Sequence, residues 1–262
     1  MTSIVSGDPA ADLDSGALEA AIADIAEAAG GVILPFWRSG VVVERKADDS
    51  PVTLADQRAE TLILERLAAL WPDVPAVAEE AMAAGHEGRT AAWWWLIDPL
   101  DGTRGFIEGK TAFTVNIALM RGDAPAAGVV SAPAIGRTWA TDRGRAVARD
   151  AGGLWGAVAA RVRPPRASML LSHSVKPDAA ARLASEHDCA AWEGTDSSLK
   201  FCLIAEGLHD LYPREGPTSE WDTAAGQAVL EAAGGQVLDK EKARLRYGKP
   251  GFLNGPFLAK GA

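Results

Sequence analysis

Apolar and polar positions follow a helical period at the start of the chain. Apolar residues three or four apart predict a first helix that is capped at Asp14 or Ser15, runs towards Phe36 and ends by Gly40. The same spacing predicts a second helix over residues 55–70, which Pro72 would stop. The beginning of the chain is therefore expected to supply a helical layer.

Beyond Pro72 the period shortens to the alternation that is typical of strands. Turns containing Gly, Asp and Pro separate the apolar runs. The three tryptophans at 93–95 indicate packing of a buried strand rather than a surface for stacking ligands. The strands predicted beyond Pro72 are residues 74–78, 93–97, 113–120, 127–131 and 137–141, and a short strand at 41–43 is predicted between the two helices.

A segment with three arginines and two prolines, residues 161–166, is typical of a connector. It suggests two halves, an α+β half over residues 1–160 and an α/β half over residues 161–262. The second half is predicted to contain helices and strands in alternation, which favours α/β or α+β layering. Its predicted elements are a strand at 169–172, helices at 178–186, 198–206 and 222–233, and strands near Leu211 and Val237.

Composition narrows the function classes. The 262 residues carry a formal net charge of −9, which argues against binding nucleic acid or an anionic membrane. Cys189 and Cys202 lack the spacing of a zinc site and are expected to be reduced. No signal peptide or run of about 18 apolar residues is visible, so we expect a cytoplasmic protein without a transmembrane segment.

The strongest chemical signal is the segment Asp98-Pro99-Leu100-Asp101-Gly102-Thr103. An apolar strand delivers Asp98 at its end, and a turn assisted by Gly102 can bring Asp101 to the same side. Two carboxylates and the Leu100 carbonyl are hard oxygen ligands that suit Mg²⁺, and no thiolate or imidazole nearby suits zinc. Taken alone, the segment could equally be a solvated acidic turn.

Three further acidic positions shift that balance. Glu79, with Glu80 beside it, follows an apolar strand as Asp98 does. Asp222 stands at the start of a helix of small residues, where it could also be a simple N-cap. Asp56 could be no more than a first-turn acid of the second helix.

Together these segments resemble the inositol monophosphatase superfamily of metal-dependent, lithium-sensitive phosphatases. The elements occur in the family's order over most of the chain: residues 51–56, Glu79-Glu80, residues 98–103, and Trp221-Asp222 followed by Ala224-Ala225-Gly226. Residues 46–48, 113–119, 197–202, 211–218 and 252–254 are similar to CysQ-type 3′(2′),5′-bisphosphate nucleotidases. Arg104-Gly105 after Thr103, and Ser172-His173-Ser174, depart from the pattern of that group.

The resemblance implies a layered αβαβα sandwich and a phosphoric monoester hydrolase with two or three Mg²⁺ ions. It implies that the ions are held by Glu79, Asp98, the Leu100 carbonyl, Asp101 and Asp222. Thr103 and Asp56, with Glu79, would orient and deprotonate the attacking water, and metal-activated water would hydrolyse the ester. Lithium inhibition is left open.

The same resemblance implies a phosphorylated small molecule as substrate, with a nucleotide, 3′-phosphoadenosine 5′-phosphate, preferred. The backbone N–H groups of Gly102 and Thr103 would bind phosphate oxygens. Lys200 and Arg214 would bind a second phosphate, and Ser197 and Asp222 would contact the sugar or its phosphate. Lys46 would help to close the site.

Other functions stay open at this point. An inositol-1-monophosphatase or a histidinol-phosphate phosphatase would share all the metal motifs, and a fructose bisphosphatase would be longer. A catalytically silent metal-binding scaffold belongs to a different class. A calcium-binding module is disfavoured, because Asp222 lies far outside a twelve-residue EF-hand loop. The sequence leaves the choice between monomer and homodimer open.

Overall fold

The computed structural model describes residues 5–40, 43–45 and 51–262. Predicted features at 41–42 and 46–50, including Lys46, lie outside the described residues. The described helices are α1 (Pro9–Ser15), α2 (Ala17–Ile33), α3 (Leu54–Leu70), α4 (Glu79–Ala83), α5 (Thr103–Ile107), α6 (Pro177–Glu186), α7 (Leu199–Ala205) and α8 (Ala224–Ala232). Three 3-10 turns are at Leu34–Phe36, Pro133–Ile135 and Pro250–Phe252.

Sixteen strands are found among the described residues. In the first half they are β1 (Val43–Arg45), β2 (Pro51–Thr53), β3 (Ala76–Ala78), β4 (Trp93–Asp101), β5 (Thr114–Arg121), β6 (Ala124–Ala132), β7 (Arg137–Asp142), β8 (Arg145–Asp150) and β9 (Gly156–Ala157). In the second they are β10 (Ala167–Leu171), β11 (Cys189–Gly194), β12 (Leu211–Arg214), β13 (Thr218–Ser219), β14 (Gln236–Asp239), β15 (Leu253–Asn254) and β16 (Phe257–Lys260).

Two larger sheets organise the molecule. The first has the order β3-β4-β5-β6-β7-β8-β9, with β3 parallel to β4 and the other neighbours antiparallel. The second has the order β11-β10-β12-β16-β14, with β10 parallel to β11 and β12, and β16 antiparallel to both of its neighbours. Two small antiparallel pairs, β1-β2 and β13-β15, complete the described strands.

Helices cover the sheets in alternating layers. Helices α2 and α3 share a core with one face of the first sheet, which includes Trp71 and Trp95. Helices α7 and α8 lie between the other face and the second sheet, with Trp94 and Phe201 in that core. Helix α6 packs on the far side of the second sheet through Leu183. The predicted αβαβα sandwich is confirmed.

The sequence prediction is wrong at the first helix. A separate helix, α1, precedes it and is capped by the side chain of Asp8, which accepts a hydrogen bond from the Ala10 N–H at 2.9 Å. Gly16, at φ +80°, separates α1 from α2 and is the N-cap of α2, so neither Asp14 nor Ser15 has that role. A glycine adopts this left-handed conformation without steric cost, which explains the break.

Other predictions from the sequence agree with the structure more closely. Helix α3 spans almost the predicted residues, and Trp94 and Trp95 are fully buried in the sheet, as expected for packing residues. The 161–166 connector contains no helix or strand. Strands β8, β9, β11 and β16 were not predicted, because short strands with charged or small residues give little alternation.

Candidate active site

An irregularity in β4 brings the two acids of the central segment to one side of the sheet. Asp98 pairs with Asn116 of β5, and Asp101 pairs with Thr114. Three residue steps on β4 therefore match two on β5, which is a β-bulge with one extra residue. Without it, Asp98 and Asp101 would face opposite sides. The predicted strand end at Asp98 is therefore wrong, because β4 continues to Asp101. The chain does turn at Gly102, as predicted, but the bulge is what brings the two acids to one side.

Asp98 is almost completely buried, with 1% of its surface exposed. One oxygen accepts a hydrogen bond from the Leu100 N–H at 3.0 Å. Burial raises the pKa of Asp98 well above its ordinary range, and a hydrogen bond with Glu79 adds to this. The negative charges that raise the pKa further belong to Glu79, Asp101 and Asp222.

Asp222 belongs to the same group of interacting acids. It comes two residues before α8, whose N-cap is Thr223, so the simple capping role is excluded. Its Oδ2 accepts the Ser219 N–H at 2.9 Å. Burial raises the pKa of Asp222 well above its ordinary range, and the negative charges of Asp101 and Glu79 raise it further.

Asp101 joins the two halves of the chain. Its Oδ2 accepts hydrogen bonds from the Ser198 N–H at 2.6 Å and from the Asn116 side-chain amide at 3.3 Å. Burial raises its pKa to about 6, although the positive charge of Lys200 acts in the opposite direction. The second half of the chain therefore helps to fix the position of a carboxylate on β4.

The donor set fits a divalent cation. Buried carboxylates that raise one another's pKa lose this repulsion when a cation lies between them. Within the part of the chain that the structure describes, no group of three or more Asp, Glu, His or Cys side chains is placed to hold a metal ion. This arrangement is compatible with Mg²⁺, which usually keeps several water ligands and takes only one or two carboxylates.

Asp56 and Thr103 lie together beside these acids. Asp56 is buried in a capping box at the start of α3, where its Oδ2 accepts hydrogen bonds from the N–H and hydroxyl of Thr53 at 2.8 and 2.7 Å. The Thr103 hydroxyl lies 3.1 Å from Asp56 Oδ1 and 3.0 Å from the Leu100 carbonyl oxygen. Asp56 is therefore a first-turn acid of α3, as considered from the sequence, with Oδ2 occupied by Thr53. Its other oxygen, Oδ1, accepts a hydrogen bond from the Thr103 hydroxyl.

Gly102 is the N-cap of α5, and Thr103 is the first residue of that helix. Gly102 has φ +92°, and a Cβ there would lie 3.0 Å from the Ala112 carbonyl oxygen. Only glycine fits this position without strain. The helix that follows is a single turn of five residues, so an attraction for phosphate would come from individual backbone N–H groups and little from a macrodipole.

The basic residues expected at a second phosphate have structural contacts as well. The buried Lys200 ammonium donates hydrogen bonds to the carbonyl oxygens of Ser197 at 2.8 Å and Thr195 at 3.3 Å. Arg214 donates to the carbonyl oxygens of Gly216 and Pro217 at 3.2 and 3.1 Å. Burial lowers the pKa of Lys200 to about 8, and the nearby positive charge of Arg214 acts in the same direction.

A cavity of about 690 Å³ contains most of these groups. It is lined by Glu79, Asp101, Gly102, Thr103, Ser197, Lys200, Arg214 and Asp222. Asp56, Asp98 and Leu100 are not among its lining residues; they lie behind its wall, linked to it by the contacts described above. The sequence predictions missed His173, Asp196 and Lys110, which also line it. A histidine and an acid near Gly194 carry no spacing signal, because β10 and β11 bring them together only in the folded chain.

Comparison with known proteins shows that this fold is that of the inositol monophosphatases. The model of the inositol monophosphatase family matches residues 15–260. The chain therefore belongs to the inositol monophosphatase family, whose enzymes are generally metal-dependent, typically with Mg²⁺.

Two curated relatives in this family carry the same name. The 3′(2′),5′-bisphosphate nucleotidase CysQ of Salmonella typhimurium is 40% identical over 239 residues, which are 90% of this chain and 96% of that protein. The protein of the same name from Buchnera aphidicola is 33% identical over 244 residues, 91% of each chain.

Solved structures agree with the fold. The crystal structure of CysQ from Bacteroides thetaiotaomicron has a TM-score of 0.77 and 32% identity, covering 95% of this chain and 97% of that one. An inositol monophosphatase from Thermotoga maritima, at 22% identity and a TM-score of 0.74, covers 91% of this chain and 90% of its own. At that identity it supports the fold alone. In the described part of the chain no helix is long and apolar enough to cross a membrane.

Proposed function

We propose that the chain is a Mg²⁺-dependent 3′(2′),5′-bisphosphate nucleotidase that hydrolyses 3′-phosphoadenosine 5′-phosphate to AMP and phosphate. The observation that carries this proposal is the pair of cations, Lys200 and Arg214, on the same cavity as the acids Glu79, Asp101 and Asp222. Relatives that bear the nucleotidase name are up to 40% identical over nine-tenths of the chain. A monophosphate ester would not need a second cationic subsite.

The proposed metal ligands are Glu79, Asp98, the Leu100 carbonyl, Asp101 and Asp222. Two Mg²⁺ ions bound there, with a third near Glu79, would make hydroxide available near neutral pH and neutralise charge on the phosphate. The raised pKa values of Asp98 and Asp222 support this, because both carboxylates gain most from a bound cation.

The chain's own groups then position the reaction. The Thr103 hydroxyl, held near Asp56, orients the attacking water, and Asp56 can take its proton through that hydroxyl. Glu79 shares the task from the wall of the cavity. The N–H groups of Gly102 and Thr103 bind oxygens of the phosphate that is cleaved. Phosphoryl transfer leaves little covalent work for protein groups, so this positioning accounts for most of their contribution.

The remaining polar groups would hold the rest of the nucleotide. Lys200 uses two of its three N–H bonds on the carbonyl oxygens of Thr195 and Ser197, which leaves one for the second phosphate. Arg214 adds a second positive charge to the same cavity, and Ser197 and Asp222 would contact the sugar or its phosphate. Because Lys200 is already buried and fixed, its ordering costs no further side-chain entropy.

The decisive experiment is a comparison of phosphate release from 3′-phosphoadenosine 5′-phosphate and from inositol 1-phosphate. We expect efficient release from the nucleotide with Mg²⁺, little release from inositol 1-phosphate, and none from either in EDTA. Preference for inositol 1-phosphate would favour an inositol monophosphatase instead, and histidinol phosphate would be included for the same reason. Absence of turnover on all three with bound Mg²⁺ would favour the silent scaffold.

Two controls complete the assay. Adding LiCl at constant ionic strength tests the lithium inhibition that the family resemblance suggests. Gel filtration of the active protein distinguishes a monomer from a homodimer, both of which we retain for a cytoplasmic enzyme.

A further inference from the structure

Asp101 and Asp222, two proposed ligands from different halves of the chain, are joined by a third residue. Ser198 is fully buried and is the N-cap of α7. Its backbone N–H donates to Asp101 Oδ2 at 2.6 Å, and its hydroxyl donates to the Asp222 carbonyl oxygen at 2.5 Å. A single residue therefore contacts an acid of each half.

This link leaves one carboxylate oxygen of each acid for a cation. The Asn116 amide and the Ser198 N–H both donate to Oδ2 of Asp101. Asp222 accepts the Ser198 hydroxyl on its backbone carbonyl and the Ser219 N–H on Oδ2. Within the described residues, Oδ1 of Asp101 and Oδ1 of Asp222 accept no hydrogen bond. Ser198 thus holds both acids without competing for the oxygens that a metal ion needs.

The backbone at Ser198 is fixed by contacts that do not involve its hydroxyl. The preceding residue, Ser197, has φ +57°, a conformation that a residue other than glycine adopts only where its surroundings enforce it. The buried Lys200 ammonium provides such a restraint, because it donates to the Ser197 carbonyl oxygen at 2.8 Å. The Ser198 N–H is therefore held against Asp101 by the backbone, and the hydroxyl adds the connection to Asp222.

The segment that carries Asp222 has its own restraints. The Asn254 side-chain amide donates to the Ser219 carbonyl oxygen at 3.2 Å and to the Thr223 hydroxyl at 2.9 Å. Helices α7 and α8 also share an apolar core, but apolar packing is not directional, whereas a hydrogen bond weakens when its geometry changes. The hydroxyl of Ser198 is therefore suited to fix the distance between two segments that are each held separately.

We propose that Ser198 is a positioning residue that sets the spacing between Asp101 and Asp222, and thereby the affinity of the metal ion that these acids share. This rests on the metal site of the proposed function and adds a residue that is itself neither a metal ligand nor a substrate contact. Groups that hold metal ligands in place through hydrogen bonds change metal affinity about 10- to 100-fold when they are removed. The effect of Ser198 should therefore appear in metal binding before any substrate is added.

The test titrates Mn²⁺ into the protein without substrate and measures free Mn²⁺ by electron paramagnetic resonance. Mn²⁺ takes the same oxygen ligands as Mg²⁺, and its signal counts bound ions without any turnover. Ser198→Ala keeps the N–H that binds Asp101 and removes only the hydroxyl. We expect this variant to bind one Mn²⁺ ion about 10-fold more weakly than the wild type does. Ser198→Thr, which keeps a hydroxyl, should retain most of the affinity.

Ser131→Ala is the matched control for losing a buried hydroxyl. Ser131 is buried in the first sheet outside the cavity, and its hydroxyl lies 3.1 Å from that of Thr138. Each Ala variant loses one buried hydrogen bond, so both should melt below the wild type in EDTA. Only Ser198→Ala should lose affinity for Mn²⁺. An equal loss in both variants would reflect general loosening of the chain and would overturn the proposal.

A double variant shows whether Ser198 acts through Asp222. Asp222→Asn should already weaken the same Mn²⁺ site, and adding Ser198→Ala to it should leave the remaining Mn²⁺ binding unchanged, because the ligand that Ser198 positions is gone. A further loss in the double variant would show that Ser198 acts by another route and that the proposal is wrong.

Metal binding and hydrolysis separate this proposal from the proposed reaction. Equal Mn²⁺ affinity of Ser198→Ala and the wild type would refute the positioning role, even if the protein hydrolyses the nucleotide normally. If the wild type hydrolyses none of the tested esters but Ser198→Ala binds Mn²⁺ more weakly, the positioning role stands and the reaction is wrong. A wild type that binds no Mn²⁺ would overturn the metal site and the role of Ser198 together.

Discussion

At the scale of single residues, Asp98 is buried beside other acids, and repulsion between their charges destabilises the folded chain without metal. A bound cation would remove that repulsion. Replacing Asp98 by Asn should reduce turnover by several orders of magnitude, because the proposed metal ions lose a shared ligand. It should not unfold the chain, because the amide oxygen can still accept the Leu100 N–H. In EDTA the variant should melt at a higher temperature than the wild type, since the repulsion from neighbouring acids is gone.

Steady-state phosphate release at saturating Mg²⁺, together with thermal melts in EDTA, measures both effects. Asp73→Asn is a matched control, because Asp73 is an exposed acid outside the cavity. Near-normal activity in a folded Asp98→Asn protein would refute the proposed metal ligands.

The pH dependence of stability should differ between the metal-free and metal-loaded protein. Burial raises the pKa of Asp101 from 3.8 to about 6, so the folded chain holds its proton more tightly than the unfolded chain does. In EDTA this group lowers stability progressively as pH rises through that window. With Mg²⁺ the ionised form is the ligand, and the loss should disappear or reverse.

Melting temperatures between pH 4 and 7, with EDTA or with Mg²⁺, test this expectation. Asp101→Asn should reduce the slope of the EDTA profile without removing it, because Asp98 and Asp222, whose pKa values are also raised, lower stability over the same window. An identical slope in the variant and the wild type would show that another group controls the pH dependence.

Glu79 and Asp98 stand out in the sequence because they end apolar strands, and Asp222 because it precedes a helix of small residues. The family resemblance linked them with Asp56 and Asp101 into one site, and their role as metal ligands stays a prediction. The structural contacts of Lys200 could not, because its partners at Thr195 and Ser197 depend on a loop in which Ser197 has φ +57°. His173 was set aside as a departure from the family pattern. Its interaction with Asp196 joins two strands that are parallel neighbours, and no local period encodes such a contact.

At the scale of elements, the bulge in β4 and the start of α5 place Thr103 between Asp56 and the Leu100 carbonyl. Thr103→Val keeps the shape of the side chain but removes the hydroxyl. We expect it to lower kcat about 100-fold, as is typical for loss of a group that positions a transferred proton. Thr103→Ser should retain most of the activity, because it keeps the hydroxyl.

The kcat of both variants on 3′-phosphoadenosine 5′-phosphate, with Mg²⁺ affinity measured separately, decides the outcome. Equal losses in the Val and Ser variants would indicate that the methyl group matters through packing. In that case Thr103 would not be the residue that orients water.

Helices with a clear repeat of apolar positions could be predicted from the sequence. Features that depend on strand pairing or on the φ angle of one glycine could not. Helix α3 has a complete capping box and an apolar stripe, so its limits agree with the prediction. The bulge at Asp98–Asp101 arises from pairing with β5, which a single strand does not reveal. The limit between α1 and α2 depends on one glycine with a positive φ, which the pattern of apolar positions does not show.

At the scale of the whole molecule, the two predicted halves share a core. Helix α8 of the second half lies against β6 of the first half, where Gly128 allows the closest approach. A Cβ at Gly128 would lie 2.8 Å from both the Ala225 carbonyl oxygen and the Ala228 Cβ. The same core contains Trp94 from one half and Phe201 from the other. Residues of both halves, among them Asp101 and Lys200, line the cavity, so its geometry depends on how the halves pack.

We therefore expect the chain to unfold in a single cooperative transition, even though it can be divided near residue 160. Gly128→Ala should destabilise the protein by about 2 kcal/mol through overpacking. Its effect should appear equally in hydrogen exchange of β4 and of β12, because both sheets depend on the shared core. Gly31→Ala, at an exposed helical glycine with open space around it, should be neutral or slightly stabilising. Destabilisation of β4 and the first sheet alone would show that the halves are independent domains and that the cavity lies between bodies that can move separately.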